Sequence, residues 1–382
     1  MAFEHYIRSG QKMLRCGYTT GTCAALAASG AARLLLTGQA AETLSLLTPK
    51  GWTVEVCPEG LALTGSGAVC SVRKDGGDDA DVTHGMLVTA SVCRTPQPGI
   101  AIDGGEGVGR VTRPGLDQPV GAAAINHVPR EMIARAVEAV CKEAGYAGGL
   151  QVTVSIPGGR ERAQRTFNPL LGIEGGLSVL GTSGIVEPMS EQAIVDTIAV
   201  EVRQAAQAGP RLILTPGNYG ADFLKAHGLD GLGVPVVRCS NFIGDALDMA
   251  AAEGFKRVIL AGHIGKLVKL AGGIMNTHSR QADCRRELFC AHAAAAGASR
   301  SLCVRLMEAA TTDACIALLE EEHLAEPVLA SLTAAAQRQV QRRAGEAFEA
   351  GVILFSNVYG TLGVSPQARA IIDTWRDSHH EG

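Results

Sequence analysis

No long uninterrupted apolar run occurs in these 382 residues. The longest, Ala24 to Leu36, is broken by Ser29, Gly30 and Arg33 and is too short to span a bilayer. The opening MAFEHYIRSG also has no apolar signal core. A cytoplasmic protein with no membrane partner is therefore expected. Metal-ligand spacing is missing too, since the eleven cysteines include no C-x-x-C pair. An odd number in a chain without an export signal means reduced thiols, mostly buried as small hydrophobes, and no protein metal site is expected. There is no positive excess, because Lys+Arg 34 stand against Asp+Glu 38 for a net charge of -4. Without a basic run interleaved with aromatics, nucleic acid is not an expected partner. Aromatics make up only 4%, whereas glycines number 47. Close backbone approaches of that kind fit a small-molecule enzyme, and leave a homo-oligomer open.

The length is too great for one ordinary core and implies two domains, 1–150 and 151–382, with Gly148-Gly149 at the joint. In the first, Thr20 or Thr22 caps an alanine-rich helix reaching Leu36. Short alternating runs at Leu44–Leu47, Trp52–Val56, Ala68–Val72 and Met86–Val92 then read as a mainly antiparallel sheet. A helix follows over Arg130–Tyr146, with apolar spacing at Met132, Ile133, Ala136, Val137 and Val140. Beyond residue 150 the rhythm becomes strand, loop, helix. Apolar runs at Leu177–Leu180, Leu212–Leu214, Val234–Val237, Val258–Ala261 and Val352–Phe355 predict a mainly parallel sheet. Two Ala-rich helices are expected in a helical segment of about 285–345. Asn218, Asn241, His263 and Asn357 each follow a strand and precede a glycine, so their loops are expected along one sheet edge, lining one crevice.

Several stretches carry chemistry. In Gly262-His-Ile-Gly-Lys266, a glycine turn after a strand would aim helix N–H groups and the Lys266 charge at an anion, although the long glycine loop and Ser/Thr of a P-loop are absent. Polar residues Asn276, Thr277, His278, Ser279, Arg280 and Asp283 follow at once. The turn from Arg15 to Thr22 is a second cradle of N–H and hydroxyl groups. In Lys74–Gly85, four acids and His84 are open to three readings: a metal loop with the wrong calcium spacing, a solvated turn, or a site using Asp78, Asp79 or His84 as anchor or base. Ile100–Gly109 imitates the glycine loop of a Rossmann nucleotide or S-adenosylmethionine site. Such a loop needs a helix directly after it, and Arg110-Val-Thr-Arg-Pro114 predicts a second strand and a hairpin instead. Arg110 and Arg113 remain as carboxylate clamps.

Arg15-Cys-Gly-Tyr-Thr-Thr-Gly-Thr-Cys-Ala-Ala25, Gly77–Gly85, Gly105–Gly115, Asn168 with Leu180–Ser190, Thr215–Gly220, Ser240–Gly244, Gly262–Gly273 with Asn276–Arg280, and Phe355–Gly360 stand in one order along nearly the whole chain. In these motifs it resembles the cobalt-precorrin-5B C1-methyltransferase family of anaerobic cobalamin biosynthesis. One departure is visible: Gly121–Asn126 carries alanine where a glutamate is expected, and His127 stands in place of proline.

The resemblance implies transfer of a methyl group from S-adenosylmethionine to C1 of cobalt-precorrin-5B, giving cobalt-precorrin-6A, with cobalt arriving only inside the substrate. It agrees with the mixed α/β fold read from the pattern of runs, an N-terminal α+β domain followed by a C-terminal αβ domain, since the family is not similar to the other methyltransferases of corrin assembly and a standard Rossmann methyltransferase is not expected. For the donor the expected residues are Gly181, Thr182, Ser183 and Gly184 with Asn218 and Asn241. For the carboxylate-fringed macrocycle they are Arg15, Thr19, Thr20, Arg110, Arg113, Lys266, Lys269, His278, Arg280 and Asn357. His84, then His263, is the expected base. Two other classes stand beside this reading: a kinase or ATPase built on Gly262–Lys266, and a non-catalytic corrinoid carrier.

Overall fold

The computed structural model describes residues 3–380 apart from 10, 167, 170 and 189. Met189 of the Leu180–Ser190 motif lies outside the described residues, as do Met1, Ala2 and Gly10 of the opening segment. The chain divides into two compact units, Met1–Glu191 and Gln192–Gly382.

The first unit contains β1 (Tyr6–Ser9), β2 (Lys12–Arg15), β3 (Gly17–Tyr18), α1 (Thr20–Thr37), β4 (Leu44–Leu47), β5 (Thr53–Val56), β6 (Glu59–Leu63), β7 (Gly67–Arg73), β8 (Leu87–Thr95), β9 (Ile100–Gly104), β10 (Arg110–Val111), α2 (His127–Glu143), β11 (Gly149–Ser155), α3 (Gly159–Ala163), β12 (Ile173–Glu174) and β13 (Ile185–Val186). Its main sheet has the order β6-β7-β8-β11-β9 and is antiparallel except for β11 with β9. Alternation decides which face is covered: Ala68, Cys70 and Val72 of β7, with Val88, Ala90 and Val92 of β8, are fully buried. α1 packs on these strands and on α2. Its run Cys23–Ala28 is fully buried, since small side chains let a helix approach a sheet closely.

Two expectations are corrected here. Gly148-Gly149 is not a joint, because β11 begins at Gly149 and lies between β8 and β9 in the sheet. A Cβ on Gly149 would fall 1.6 Å from the Gln97 carbonyl oxygen, so that glycine marks tight packing, not a linker. The Ile100–Gly109 loop is not the turn of a hairpin either. β10 pairs with β12 rather than with β9, and the loop glycine Gly107 (φ +72°) lies where a Cβ would meet the Ile156 carbonyl at 1.9 Å. No helix starts behind it, in keeping with the rejection of a Rossmann loop.

The second unit holds α4 (Glu191–Ala206, whose first residue belongs to the first unit), β14 (Arg211–Thr215), α5 (Tyr219–Ala226), β15 (Val236–Arg238), α6 (Ile243–Ala252), β16 (Arg257–His263), α7 (Ile264–Leu267), α8 (Arg285–Ala295), α9 (Arg300–Glu308), α10 (Thr312–Glu321), α11 (Ala325–Ala344), β17 (Glu349–Ser356), β18 (Gly360–Val364) and α12 (Pro366–His380). The sheet order is β15-β14-β16-β17-β18, parallel except for β18. Both faces are covered, which is why these strands read as continuous apolar runs. Leu212, Leu214, Val258, Leu260, Val352 and Leu354 pack in a core shared with α4, α6 and α8–α11. Ile213, Ile259, Ala261, Ile353 and Phe355 face the opposite way, toward α5 and α12, where Trp375 is fully buried.

Four helices, α8–α11, occupy the segment where two were expected; Ser299 and Thr311 cap the intervening starts through their hydroxyls. Leu177–Leu180 is no strand of this sheet. It belongs to the first unit, where Leu177 and Val179 form isolated bridges to Val108 and Ile125. Among the described residues no helix is long and apolar enough to cross a membrane.

Candidate functional site

Because β14, β15, β16 and β17 run parallel, their carboxyl ends share one edge of the second unit's sheet. That edge carries Thr215–Gly220, Cys239–Gly244, His263–Gly265 and Ser356–Gly360, and so brings Asn218, Asn241, His263 and Asn357 onto one side. Asn218 and Asn357 are exposed, while Asn241, His263 and Lys266 are half-buried. Ser240 holds φ +52°, the left-handed region unusual for serine, and its carbonyl accepts a long 3.4 Å contact from Lys266 Nζ. The 276–278 segment packs beside this loop: Thr277 N–H donates to the Asn241 carbonyl at 2.9 Å, and Thr277 Oγ1 donates to Asn241 Oδ1 at 3.3 Å. Asn241 is left with its amide N–H groups to offer.

The Gly262–Lys266 turn departs from expectation. α7 is four residues long, and the Gly265 N–H at its start donates to His263 Nδ1 at 3.1 Å, so it is already capped. Gly262 makes room for protein rather than ligand, since a Cβ there would sit 2.8 Å from Pro216 Cγ and 2.9 Å from Leu267 Cγ. With Nδ1 accepting from a backbone N–H, neutral His263 carries its proton on Nε2 and presents a donor. Burial lowers its pKa against the opposing pull of Asp313, favouring that neutral form. The ring meets Phe355 edge-on at 5.9 Å and Tyr219 at 6.2 Å between centroids.

The second-unit cations differ sharply. Lys269 is 3% exposed and donates to the carbonyls of Thr277 (3.0 Å) and Ala282 (2.8 Å), so it clamps the 277–282 loop instead of reaching for a ligand. Arg280 is exposed, and its backbone N–H donates to His278 Nδ1 at 3.1 Å. Lys266 has no carboxylate within ion-pair range among the described residues, and burial lowers its pKa.

In the first unit, the Arg15–Thr22 turn and the Lys74–Gly85 loop lie against each other. Arg15 grips Asp75 with both guanidinium nitrogens (2.6 and 2.9 Å), and its N–H donates to Asp78 Oδ2 at 2.7 Å. Gly17 and Gly77 allow this contact, for a Cβ on either would come within 2.3 Å of the other stretch's backbone. Beneath them Lys74, 2% exposed, donates to Asp81 at 2.6 Å. His84 is exposed, and its Nδ1 accepts the Gly76 N–H at 3.0 Å and lies 3.8 Å from Asp75 Oδ1.

The threonine turn faces inward as well. Thr19 caps α1, Thr20 Oγ1 accepts the Leu180 N–H at 3.0 Å, and Thr22 Oγ1 donates to the Gly184 carbonyl at 2.6 Å. These groups hold the Gly181–Gly184 phrase, where Thr182 is exposed and Ser183 Oγ donates to the Ile185 carbonyl at 3.0 Å. Gly181–Gly184 thus belong to the first unit, and Asn218 and Asn241 to the second. Arg110 is bidentate on Asp103 (2.8 and 3.0 Å), and Arg113 is exposed with its stem against Gly172. Among the described residues no three His, Cys, Asp or Glu side chains gather as metal ligands.

Two family models match the chain, CbiD over residues 7–188 and the CbiD C-terminal domain over 276–366. A cobalt-precorrin-5B C(1)-methyltransferase of Alkaliphilus metalliredigens is 41% identical over 97% of each chain. The chain belongs to the CbiD family. Other relatives with the same name include those of Ruminiclostridium cellulolyticum (44% identical, 93% of this chain and 92% of the relative) and Tolumonas auensis (42%, 96% of each). The crystal structure of a cobalamin biosynthesis protein, CbiD, from Archaeoglobus fulgidus is 28% identical, covering 73% of this chain and 87% of its own, with a TM-score of 0.40.

The first CbiD match falls within the first unit, and the second begins after β16. In this CbiD chain, the motifs Thr215–Gly220 and Ser240–Gly244 gave Thr215, Gly217 and Ser240 no individual role, and Asp313 was passed over. Thr-Pro-Gly after an apolar run carried a signal for the first two. Nothing in the sequence marks the positive φ of Ser240 or the bond from Ser356 Oγ to Asp313 Oδ1 at 2.8 Å.

Proposed function

We propose that this chain transfers a methyl group from S-adenosylmethionine to C1 of cobalt-precorrin-5B, giving cobalt-precorrin-6A. The carrying observation is identity of 41% over 97% of both lengths with a relative of that named activity. The electron-rich C1 forms the new carbon–carbon bond as the sulfur–methyl bond breaks. Its electron pair stays on sulfur, and S-adenosylhomocysteine leaves. Alignment and exclusion of water supply most of the acceleration in such a displacement. The macrocycle brings its own cobalt.

Support from the site is chemical. The second unit's sheet edge offers donor groups, the amides of Asn218 and Asn241 with Lys266, suited to the carboxylate and ribose hydroxyls of the methyl donor. His84 and His263, the proposed bases, each accept a backbone N–H at Nδ1, from Gly76 at 3.0 Å and from Gly265 at 3.1 Å, and a proton given up by the ring would go to that nitrogen. Incubation with cobalt-precorrin-5B and S-adenosylmethionine tests the reading. A gain of one methyl group in the macrocycle, with equimolar S-adenosylhomocysteine, is expected; unchanged macrocycle mass in a bound complex would make the chain a carrier.

A further inference from the structure

We propose that Thr215, the Gly217–Gly220 backbone and Lys266 form a carboxylate-binding subsite within the second unit. It deepens the methyltransferase reading and rests on it only for the two ligands that bring such a group: the amino-acid end of the methyl donor, or an acetate or propionate of the macrocycle.

Four observations converge. The Lys266 ammonium is half-buried, has only the 3.4 Å contact to the Ser240 carbonyl, and finds no carboxylate among the described residues. Gly217, at φ +100°, lies beneath it, for a Cβ there would be 3.5 Å from Nζ. Thr215 is 1% exposed at the end of β14, and its Oγ1 is a buried hydroxyl without a hydrogen-bond partner. That oxygen lies 3.0 Å from where a Cβ on Gly220 would be, in the first turn of the eight-residue α5, whose N-terminal N–H groups have no side-chain cap from Asn218. A buried hydroxyl left unpaired is costly and asks for a partner. Ammonium, hydroxyl and helix N–H groups all donate, so the group that satisfies them together is a compact acceptor with negative charge. Asp222 of the same turn is exposed. A bound carboxylate would also restore to Lys266 the counter-charge that its burial lacks, as the lowered pKa of the ammonium indicates.

The test is calorimetric titration of the full chain with three probes: S-adenosylhomocysteine, methylthioadenosine (which lacks the amino-acid end), and a cobalt-chelated octacarboxylate porphyrin. Lys266→Met should weaken one carboxylate probe about tenfold or more and leave methylthioadenosine unchanged. Loss confined to S-adenosylhomocysteine assigns the subsite to the donor; loss confined to the porphyrin assigns it to the macrocycle. Thr215→Val keeps the shape and removes the hydroxyl. It should weaken the same probe while raising the melting temperature of the free protein. Wild-type affinity for both carboxylate probes in both variants overturns the subsite alone. Failure of the wild-type protein to bind either probe overturns the functional reading and the subsite together.

Discussion

Replacing Asp81 by asparagine isolates the cost of a buried cation in the first unit. Lys74 is 2% exposed, and its ammonium lies 2.6 Å from Asp81 Oδ2. The Asp81 side chain keeps 19% exposure and accepts the Thr83 N–H and hydroxyl at 2.7 and 2.6 Å. Burial alone would raise the Asp81 pKa, but Lys74 and the two Thr83 bonds outweigh it, and the pKa is lowered. Asp81→Asn strands an ammonium that water cannot reach, and breaking a buried pair in that way costs about 3–5 kcal/mol. Lys74→Met leaves a carboxylate that retains its Thr83 donors and some solvent, for a smaller loss of about 1–3 kcal/mol. The double variant should recover part of the Asp81→Asn loss. Because the folded pKa of Asp81 is depressed, its contribution is present above the unfolded carboxyl pKa and disappears as pH falls through the folded one. The chain has two tryptophans, Trp52 in the first unit and Trp375 in the second, so urea unfolding read by Trp52 emission in a Trp375→Phe background reports the relevant unit. Equal losses for the two single variants, or a larger one for Lys74→Met, would refute the argument.

His127 and Asp117 define a pH window. The His127 N–H and Nδ1 each lie 2.6 Å from an Asp117 oxygen, which raises the histidine pKa, while the Gln118 amide, donating to Asp117 at 2.9 Å, and these His127 contacts together outweigh burial to lower the pKa of Asp117. The stability advantage over His127→Ala should be full below the unfolded histidine pKa, fall as pH rises through the raised value, and vanish in acid as Asp117 protonates; melting temperatures against pH check this, and an advantage growing toward alkaline pH contradicts it. Lys269→Met should cost about 1.5–3 kcal/mol by releasing the carbonyls of Thr277 and Ala282, with faster amide exchange across 276–282; unchanged exchange there would show that the clamp is idle.

Much of the second unit was legible because its strands are apolar on both faces and end in glycine phrases. The parallel pairing of β14–β17 and the placing of four loops on one edge follow from that pattern, whereas the spatial order β15-β14-β16-β17 does not. Helix ends inside the alanine-rich segment were not legible, since alanine offers no face and only Ser299 and Thr311 punctuate it. Glycine misled more often than it helped. At Gly149, Gly107 and Gly262 its absence of a side chain serves protein-to-protein contact, and a local sequence cannot tell that from a hinge or a ligand loop. The partners of the cations were hidden from view for a related reason: Asp75 for Arg15, Asp103 for Arg110 and two carbonyls for Lys269 are distant enough in sequence or generic enough in type to be invisible beforehand. Histidine tautomers likewise depend on backbone N–H groups that only the fold brings into place.

The most direct measurement is a single-turnover incubation of the purified chain with cobalt-precorrin-5B and donor carrying a carbon-13 methyl group, followed by carbon NMR of the macrocycle. The account predicts one enriched methyl signal, on C1. Label remaining wholly in the donor, or appearing on another ring carbon, would contradict it.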